Sequence, residues 1–280
     1  MSTTITTPEI DLEAYFRRIE YTGPTTPTLE TLQAIVLHHT QAIAFENLNP
    51  LLHRPVKLDP ASLQQKLVQD GRGGYCFEQN GLLSHVLRKL GFQITTLMAR
   101  VLWNMPEETI TPRSHMLLWI EIDGQPYIAD VGFGGSTPTS AIRFELDRVQ
   151  ETPHGLFRLA KLNDLFKLQT KIRDEWKTLY RFDLQEQYLP DYEVANWYTS
   201  ANPNSHFTSN VIAARPTPGR RYALRNTELT IHQIDGASEQ HQFKTVPELK
   251  GVLEDIFRLR LPDDPQLDQA LQEIIARSTT

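Results

Sequence analysis

One nine-residue stretch, 72–80, constrains the fold and the chemistry of this chain more than any other. It has the sequence Arg-Gly-Gly-Tyr-Cys-Phe-Glu-Gln-Asn and contains the only cysteine among 280 residues. The two glycines permit a turn that other residues would make only at a conformational cost. Apolar residues then recur at helical spacing up to Gly91, which fits a helix C-cap. The pattern therefore predicts that a helix begins at or near Cys76.

At a helix start, Cys76 would face unpaired backbone N–H groups and the positive end of the helix dipole, which favour the thiolate. A lone cysteine in a soluble chain is more often a small buried apolar residue than a catalyst. The Gly-Gly pair and the helix start favour the catalytic alternative. Cys76 is therefore a candidate nucleophile, and this hypothesis requires a base nearby.

Composition narrows the class of protein. Apolar residues make up 40% of the chain and charged residues 22%, which is typical of a globular protein. The formal net charge is −6, so nothing indicates nucleic-acid binding. A single cysteine excludes an internal disulfide, and without closely spaced Cys and His residues we expect no metal. Because residues 1–8 lack a signal-peptide pattern and no apolar run spans a bilayer, we expect a cytoplasmic protein without membrane contact.

The hydrophobic pattern changes character twice along the chain. Residues 1–92 predict helices, with Thr28 as the cap of one and a short helix at 62–68. Residues 93–190 are rich in strand patterns, and a further helix is expected at 188–201. Strands are predicted at 93–103, 115–122, 125–131, 157–162, 165–170, 176–182, 207–214, 221–224 and 228–233, and closing helices at 247–259 and 265–277. The chain therefore predicts an α+β fold.

The hairpin predicted at Asp123-Gly124 supplies a candidate base. With a two-residue turn, the numbers of cross-strand partners sum to 247, which places Leu117 opposite Asp130. His115 lies on the same face as Leu117, so His115 and Asp130 become diagonal neighbours with β-carbons about 7 Å apart or less. An even loop length preserves this geometry and an odd one destroys it.

A histidine paired with an aspartate can serve as the base for a thiol. The carboxylate of Asp130 would fix the tautomer of His115 and stabilise its imidazolium form, while the other ring nitrogen takes the proton of Cys76. Other histidines lack such a neighbour in the sequence and are interpreted as ordinary core or surface residues. These are His38, His39, His53, His85, His154 and His241.

Together, these residues resemble the arylamine N-acetyltransferases in their bacterial form. The motifs that carry the resemblance occur in order along the chain: Phe45-Glu46-Asn47-Leu48, Arg72 to Glu78, Ala99-Arg100-Val101, Ser114-His115 and Asp130-Val131-Gly132-Phe133-Gly134. The resemblance implies three domains with a cysteine-protease-like Cys-His-Asp core. These are a helical bundle at 1–92, a central β-barrel at 93–190, and an interdomain helix with a C-terminal α/β lid at 191–280.

The resemblance also implies a two-step reaction. The thiolate of Cys76 would attack the thioester of acetyl-CoA, and the acetyl-cysteine would then acetylate an arylamine, an arylhydrazine or an N-hydroxyarylamine. A thiolate–imidazolium pair suits thioester exchange, because the incoming and leaving groups are both thiols. His115 would assist the attacking amine and Asp130 would orient His115.

Further site residues follow from the resemblance alone. It implies contacts of CoA with Trp103, Ser114, Phe133, Gly134, Gly135 and His232, and an aryl pocket lined by Phe45, Phe133 and Phe207. Arg220 and Arg221 would meet the CoA phosphates, and an ion pair of Arg72 with Glu46 would brace the nucleophile. Each of these assignments has an ordinary structural alternative. Residues 133–136 would be a plain loop at the end of a strand, the aromatic residues would belong to the core, and Arg220 and Arg221 would lie in a solvated turn.

Several functional alternatives stay open. A cysteine hydrolase or transglutaminase-type enzyme has the same order of Cys, His and Asp, and a related amide synthase keeps all three. A non-enzymatic binding module would be indifferent to loss of Cys76. The sequence leaves open whether the chain is a monomer or a homodimer. The loop at 104–112 gives no basis for ranking acceptor amines.

Overall fold

The computed structural model describes residues 10–234 and 236–278. The prediction that no signal peptide occupies residues 1–8 lies outside this part, as do the outer limits of the first and last predicted domains. Within the described ranges, no helix is long and apolar enough to cross a membrane. In the same ranges, no group of three or more His, Cys, Asp and Glu side chains is placed to hold a metal ion.

Side chains at the N-termini explain where several helices begin. Asp11, Thr28 and Asp59 each accept a backbone N–H of the following first turn, which replaces a hydrogen bond that the helix cannot make itself. The predicted cap at Thr28 is confirmed. The helices in the described residues are α1 (Leu12–Arg18), α2 (Leu29–Ala42), α3 (Leu48–Leu51), α4 (Pro60–Leu63), α5 (Cys76–Lys89), α6 (Leu189–Ala201), α7 (Val246–Asp255) and α8 (Pro265–Ser278), with a π-helix at Gln64–Gln69 and a 3-10 helix at His206–Thr208.

Helix α5 begins at Cys76 itself, which confirms the predicted start. Gly91 follows the helix with φ +91°, in the left-handed region that favours glycine. The apolar face of α5 is fully buried in the helical core. The position of Cys76 is therefore fixed by packing along the whole helix.

Strands form two antiparallel sheets. They are β1 (Phe45–Glu46), β2 (Gln93–Val101), β3 (Arg113–Ile122), β4 (Gln125–Ala129), β5 (Ile142–Arg143), β6 (Gln150–Thr152), β7 (Gly155–Leu162), β8 (Leu165–Ile172), β9 (Glu175–Phe182), β10 (Ile212–Thr217), β11 (Arg220–Arg225), β12 (Glu228–Gln233) and β13 (Ser238–Gln242). The larger sheet has eight strands in the order β5-β4-β3-β2-β9-β8-β7-β6. The amide side chain of Gln150 links its two edges, because it both accepts from Arg143 N and donates to Arg143 O at 2.8 Å. The sheet is thus a nearly closed barrel, as predicted.

The register of the β3–β4 hairpin is the one predicted. Ile122 pairs with Gln125 and Leu118 with Ala129, so partner numbers sum to 247. Asp123 and Gly124 both have positive φ, at +50° and +71°, which is the signature of the tight hairpin turn expected for this dipeptide. The geometric premise for bringing His115 and Asp130 together is therefore confirmed.

The smaller sheet differs from the expectation in three places. Its order is β1-β10-β11-β12-β13, so a strand from the predicted helical region pairs with the C-terminal third. The strand predicted at 207–214 is wrong: Ser205 caps a 3-10 helix at His206–Thr208, and β10 begins only at Ile212. Strand β13 is polar and exposed throughout, so it lacks the alternation by which strands are recognised.

The apolar core places the nucleophile helix against the barrel. One cluster contains Phe77 and Leu83 of α5 together with Met116 and Ile120 of β3. A second lies between the smaller sheet and helices α7 and α8, and a third fills the barrel. Because the first cluster spans bundle and barrel, the strand that carries His115 packs directly on the helix that carries Cys76.

Candidate active site

The glycines before Cys76 are required for close packing rather than for a left-handed turn. Neither Gly73 nor Gly74 has a positive φ, which corrects the sequence-based reason for them. A Cβ on Gly73 would lie 2.2 Å from Ala44 O, and one on Gly74 would lie 2.7 Å from Glu78 Oε2. Gly74 also exchanges backbone hydrogen bonds with the β1 region, since Gly74 N donates to Ala44 O at 3.3 Å and Glu46 N donates to Gly74 O at 3.1 Å.

Two acidic and two basic side chains surround this segment. Arg72 Nη2 lies 2.9 Å from Glu46 Oε1, and Lys66 Nζ lies 2.6 Å from Glu78 Oε1. Glu78 Oε2 accepts from Tyr75 N at 3.1 Å, which is the glutamate half of a capping box, whereas the hydroxyl of Tyr75 bonds Asn196 and does not cap the helix. Burial alone would raise the pKa of Glu46, but Arg72 and Lys66 lower this pKa to about 2. The predicted contact of Arg72 with Glu46 is therefore present, and its bracing role remains a prediction.

Cys76 is buried between α5 and two segments of the barrel. Its sulfur lies 3.5 Å from the backbone oxygen of Ser114, the residue before His115. On the other side, a Cβ on Gly132 would lie 2.6 Å from Cys76 Cα, so only glycine permits this approach. The loop that follows Asp130 thus touches the backbone of the nucleophile helix.

His115 and Asp130 form a buried hydrogen-bonded pair. His115 Nε2 lies 2.7 Å from Asp130 Oδ2, which leaves Nδ1 for the thiol of Cys76. Burial would lower the pKa of His115, but the charge and hydrogen bond of Asp130, and then those of Cys76, raise this pKa to about 10. Burial would likewise raise the pKa of Asp130, and His115 reverses that effect and lowers it. The pair is therefore an imidazolium and a carboxylate at neutral pH.

This coupling predicts how pH changes stability. Because the folded-state pKa of His115 is raised from 6.5 to about 10, its contribution is complete below pH 6.5 and is lost as pH rises toward 10. We expect the free energy of unfolding of the wild type to exceed that of His115→Gln by a difference that is already below its maximum at neutral pH and shrinks further as pH rises toward 10. Urea denaturation of both proteins from neutral to alkaline pH measures this. A difference that stays constant over that range would contradict a charged pair.

Asn80 is a site residue that the sequence analysis missed. Its Nδ2 donates to Asp130 Oδ1 at 3.0 Å and to Met116 O at 2.7 Å, and its Oδ1 accepts from Val131 N at 3.0 Å. Asp130 Oδ1 also accepts from Gly132 N at 2.9 Å. Asn80 lies four residues after Cys76, and this helical spacing was the available signal for a shared face.

Aromatic side chains surround the imidazole ring of His115. The ring of Tyr180 lies 4.9 Å from that of His115, and Phe133 meets His115 edge-on at 5.3 Å. Trp103 packs on Phe133 at 6.3 Å. Burial raises the pKa of Tyr180 and the charge of Asp130 raises it further, so the phenol stays neutral. Tyr180 carried no sequence signal, because its proximity depends on the pairing of β9 with β2.

The residues predicted to line the aryl pocket fall on two sides of Cys76. Phe45 and Phe207 pack together at 6.2 Å, and Phe207 also packs on Tyr75 at 5.6 Å. Phe133 lies on the side of His115. Gly134 connects the two sides, because a Cβ on it would lie 3.6 Å from the ring of Phe45. Their contact with substrate stays a prediction.

Of the residues predicted to bind CoA, Gly134, Gly135 and His232 lie at or beside the smaller sheet, whereas Trp103, Ser114 and Phe133 belong to the barrel. Gly134 has φ +84°, and a Cβ on Gly135 would lie 3.7 Å from Ala223 of β11. His232 is exposed and lies opposite Arg221 across the β11–β12 ladder. Arg221 donates to the backbone oxygens of Thr137 and His154 at 2.9 and 3.0 Å, so its guanidinium holds the sheet against the barrel.

This use of Arg221 does not favour the predicted phosphate contact. Arg220 points to the opposite face of the sheet, where it borders a surface cavity together with Arg215 and Arg258. The two neighbouring arginines therefore do not form one anion site. Trp103 packs on Phe133, which precedes the glycine-permitted backbone at 134–135, and the contact of this segment with CoA stays a prediction.

The fold and the geometry define a class of protein. A helix start presents a buried thiol to a histidine–aspartate pair on a barrel strand, which is the arrangement of thiol enzymes that act through an acyl-cysteine.

Comparisons with known proteins narrow this class to a family. A family model for N-acetyltransferases matches residues 28–266. Arylamine N-acetyltransferases of Escherichia coli and Mycobacterium tuberculosis are 42% and 41% identical to this chain, over 90% and 96% of it and 90% and 97% of their own lengths. The structure of the Mycobacterium marinum arylamine N-acetyltransferase in complex with CoA matches with a TM-score of 0.91 at 37% identity, over 94% of this chain and 99% of that one. The chain belongs to the arylamine N-acetyltransferase family.

Proposed function

We propose that the protein transfers an acetyl group from acetyl-CoA to arylamines, arylhydrazines or N-hydroxyarylamines, with Cys76 as the nucleophile. The observation that carries the assignment of roles is the hydrogen bond of 2.7 Å between His115 Nε2 and Asp130 Oδ2, because it directs the other imidazole nitrogen to the sulfur. Family membership supports the reaction, and the site geometry supports the roles of these residues.

In the first half-reaction, Cys76 supplies an electron pair. His115 holds the proton as imidazolium, so the sulfur of Cys76 attacks the acetyl carbonyl carbon as a thiolate. The new bond joins this carbon to Cys76 Sγ, and the bond from the carbon to the CoA sulfur breaks. His115 then gives its proton to the departing thiolate of CoA.

In the second half-reaction, His115 acts as a base. The amine nitrogen attacks the acetyl-cysteine carbonyl, and His115 Nδ1 takes the proton that this nitrogen loses. The bond to Cys76 Sγ breaks and the thiolate is restored beside the imidazolium. Asp130 stabilises the charged imidazole in both steps, and the walls formed by Phe133 and Tyr180 exclude water, which limits hydrolysis of the intermediate.

Three finer assignments belong to the same proposal. The division into a bundle at 1–92, a barrel at 93–190 and a lid at 191–280 agrees with the order of helices and sheets, with β1 as a connection between the first and last parts. The aryl group of the acceptor would lie between Phe45, Phe133 and Phe207. The cytoplasm, where acetyl-CoA is available, is the expected compartment.

The covalent intermediate is directly testable. Intact-protein mass spectrometry after brief incubation with acetyl-CoA and no amine should show one added acetyl group on the wild type and none on Cys76→Ala. Addition of an arylamine should discharge it. Ser84→Ala, a small change on the same helix outside the proposed machinery, serves as the control and should acetylate normally.

The outcomes separate the alternative functions. An adduct that water discharges as fast as an amine does would favour a cysteine hydrolase. No adduct on folded wild type with acetyl-CoA, but one with a carrier-bound acyl chain, would favour an amide synthase. Acetylation of Cys76→Ala would contradict the assignment of the nucleophile.

A further inference from the structure

Helix α6 carries an outward apolar stripe that the proposed reaction does not use. Pro190, Val194, Trp197 and Ala201 are all exposed and follow one another at spacings of four, three and four residues. Val194 is 73% exposed and Trp197 is 66% exposed. The opposite side of the helix is buried against the rest of the protein through Tyr192, Asn196, Thr199 and Ser200. This spacing is that of the a and d positions of a coiled-coil seam.

The stripe belongs to the main concentration of exposed apolar side chains in the described residues. Of eleven exposed large hydrophobic residues, six lie between 184 and 198. These are Leu184, Tyr188, Leu189, Val194, Trp197 and Tyr198. Together they expose on the order of 500 Å² per protomer, of which a partner helix on the stripe covers the part around Val194 and Trp197, so the contact is smaller than the roughly 800 Å² per partner found in standard interfaces. An apolar surface of this extent indicates an interaction site.

The charges around the stripe indicate which kind of partner could cover it. Glu186, Asp191 and Glu193 lie at its N-terminal end, and no Lys or Arg occurs between residues 184 and 204. A stripe with acidic flanks and no cations is unsuited to an anionic membrane surface. It is also unsuited to a second α6 in parallel, because the acidic ends would then meet. An antiparallel copy instead places each acidic end beside the uncharged C-terminal end of its partner.

We propose that α6 is the interface of a homodimer, in which two copies of the helix pack antiparallel about a two-fold axis. In this arrangement the residue numbers of facing positions sum to 391, so Val194 faces Trp197 of the partner subunit and Pro190 faces Ala201 of the partner subunit. In antiparallel pairs of helices, a positions pack against d positions, and here each layer joins a large residue to a smaller one. The interface is isologous, so the same two contacts occur twice.

The area bounds the strength of this association. Because the apolar surface is below the standard size, the dimer should be reversible, with a dissociation constant in the range of about 1 to 100 μM. Sedimentation velocity of the full chain at increasing concentration should therefore show a shift from monomer to dimer. Val194→Lys and Trp197→Glu should each weaken the dimer about tenfold or more.

A mixing experiment tests the register. When Val194→Lys and Trp197→Glu proteins are mixed in equal amounts, an antiparallel heterodimer brings the introduced cation against the introduced anion and keeps one wild-type layer. The mixture should therefore associate more strongly than either variant alone, with a midpoint within about threefold of wild type. In a parallel pair each introduced charge would face its own copy, so mixing would relieve repulsion there as well. A chain that carries both substitutions separates the two cases, because opposite charges face each other in its antiparallel dimer and like charges face each other in its parallel dimer.

Two controls show whether a change in self-association is specific to α6 and whether each variant is folded. Val149 is 51% exposed on a loop away from α6, and Val149→Lys should leave self-association unchanged. Acetylation of Cys76 reports whether each variant is folded. A wild type that stays monomeric up to about 200 μM, well above the expected dissociation constant, would overturn the proposal. So would a dimer that Val194→Lys leaves intact, and a mixture no stronger than its components would overturn the antiparallel register.

Discussion

Replacing Asp130 by Asn is expected to slow the acetylation of Cys76 by about 10⁴-fold, the loss seen when the aspartate of a comparable triad becomes an amide. The Asn oxygen would keep the donors Asn80 Nδ2 and Gly132 N, which now point at Asp130 Oδ1. The amide nitrogen would then face His115 Nε2 and donate to it. His115 would carry its proton on Nδ1, toward the sulfur, and could no longer accept the proton of Cys76.

Single-turnover acetylation measured by mass spectrometry checks this expectation. Asp183→Asn is the matched control, because this partly exposed aspartate pairs with Arg113 and not with His115. It should react within about twofold of wild type, since surface ion pairs contribute little. Acetylation of Asp130→Asn within about tenfold of wild type would show that the carboxylate does not set the tautomer of His115.

The largest effect on stability is expected for Arg72→Ala. The carboxylate of Glu46 is fully buried and lies 2.9 Å from Arg72 Nη2, whereas the other cation, Lys66, is 3.7 Å away. Removal of Arg72 would leave a buried charge without its close partner, which typically costs about 3–5 kcal/mol. Chemical denaturation should show this loss.

The contrast with a surface pair makes the Arg72 measurement specific. Arg54 is 39% exposed and pairs with Asp264, so Arg54→Ala should cost less than about 1 kcal/mol. At a temperature where Arg72→Ala remains folded, it should also acetylate more slowly, because Glu46 N bonds the backbone oxygen of Gly74, two residues before Cys76. Wild-type stability in this variant would rule out a bracing role for the ion pair.

Local rules were sufficient for the parts of the site that depend on neighbours in sequence. The Asp123-Gly124 turn fixes the register of β3 and β4, and this register alone brings His115 to Asp130. The Gly-Gly pair and the helical periodicity likewise placed the start of α5 at or near Cys76. In both cases a short segment contains all the interactions that determine its geometry.

The remaining parts depend on contacts between distant segments. Strand β1 has only two residues and exists because β10 pairs with it, so no local pattern marks it. Gly73 looked like a turn residue, whereas the structure requires it because Ala44 O occupies the space of a side chain. Tyr180 reaches His115 only after β9 has paired with β2. Such residues become predictable when the tertiary partner is known, since tertiary contacts override local preference.

The pairing of β1 with β10 has a consequence for the order in which the site is assembled during synthesis. Phe45 bridges to Gly74 on one side and pairs with Ala214 on the other, so the segment beside Cys76 is completed by a strand from the last third of the chain. A ribosome releases the N-terminal segments well before residues 212–217 emerge. We therefore expect the segment beside Cys76 to lack one of its two neighbours until residues 212–217 have left the ribosome, and the thiol to reach full reactivity only after that.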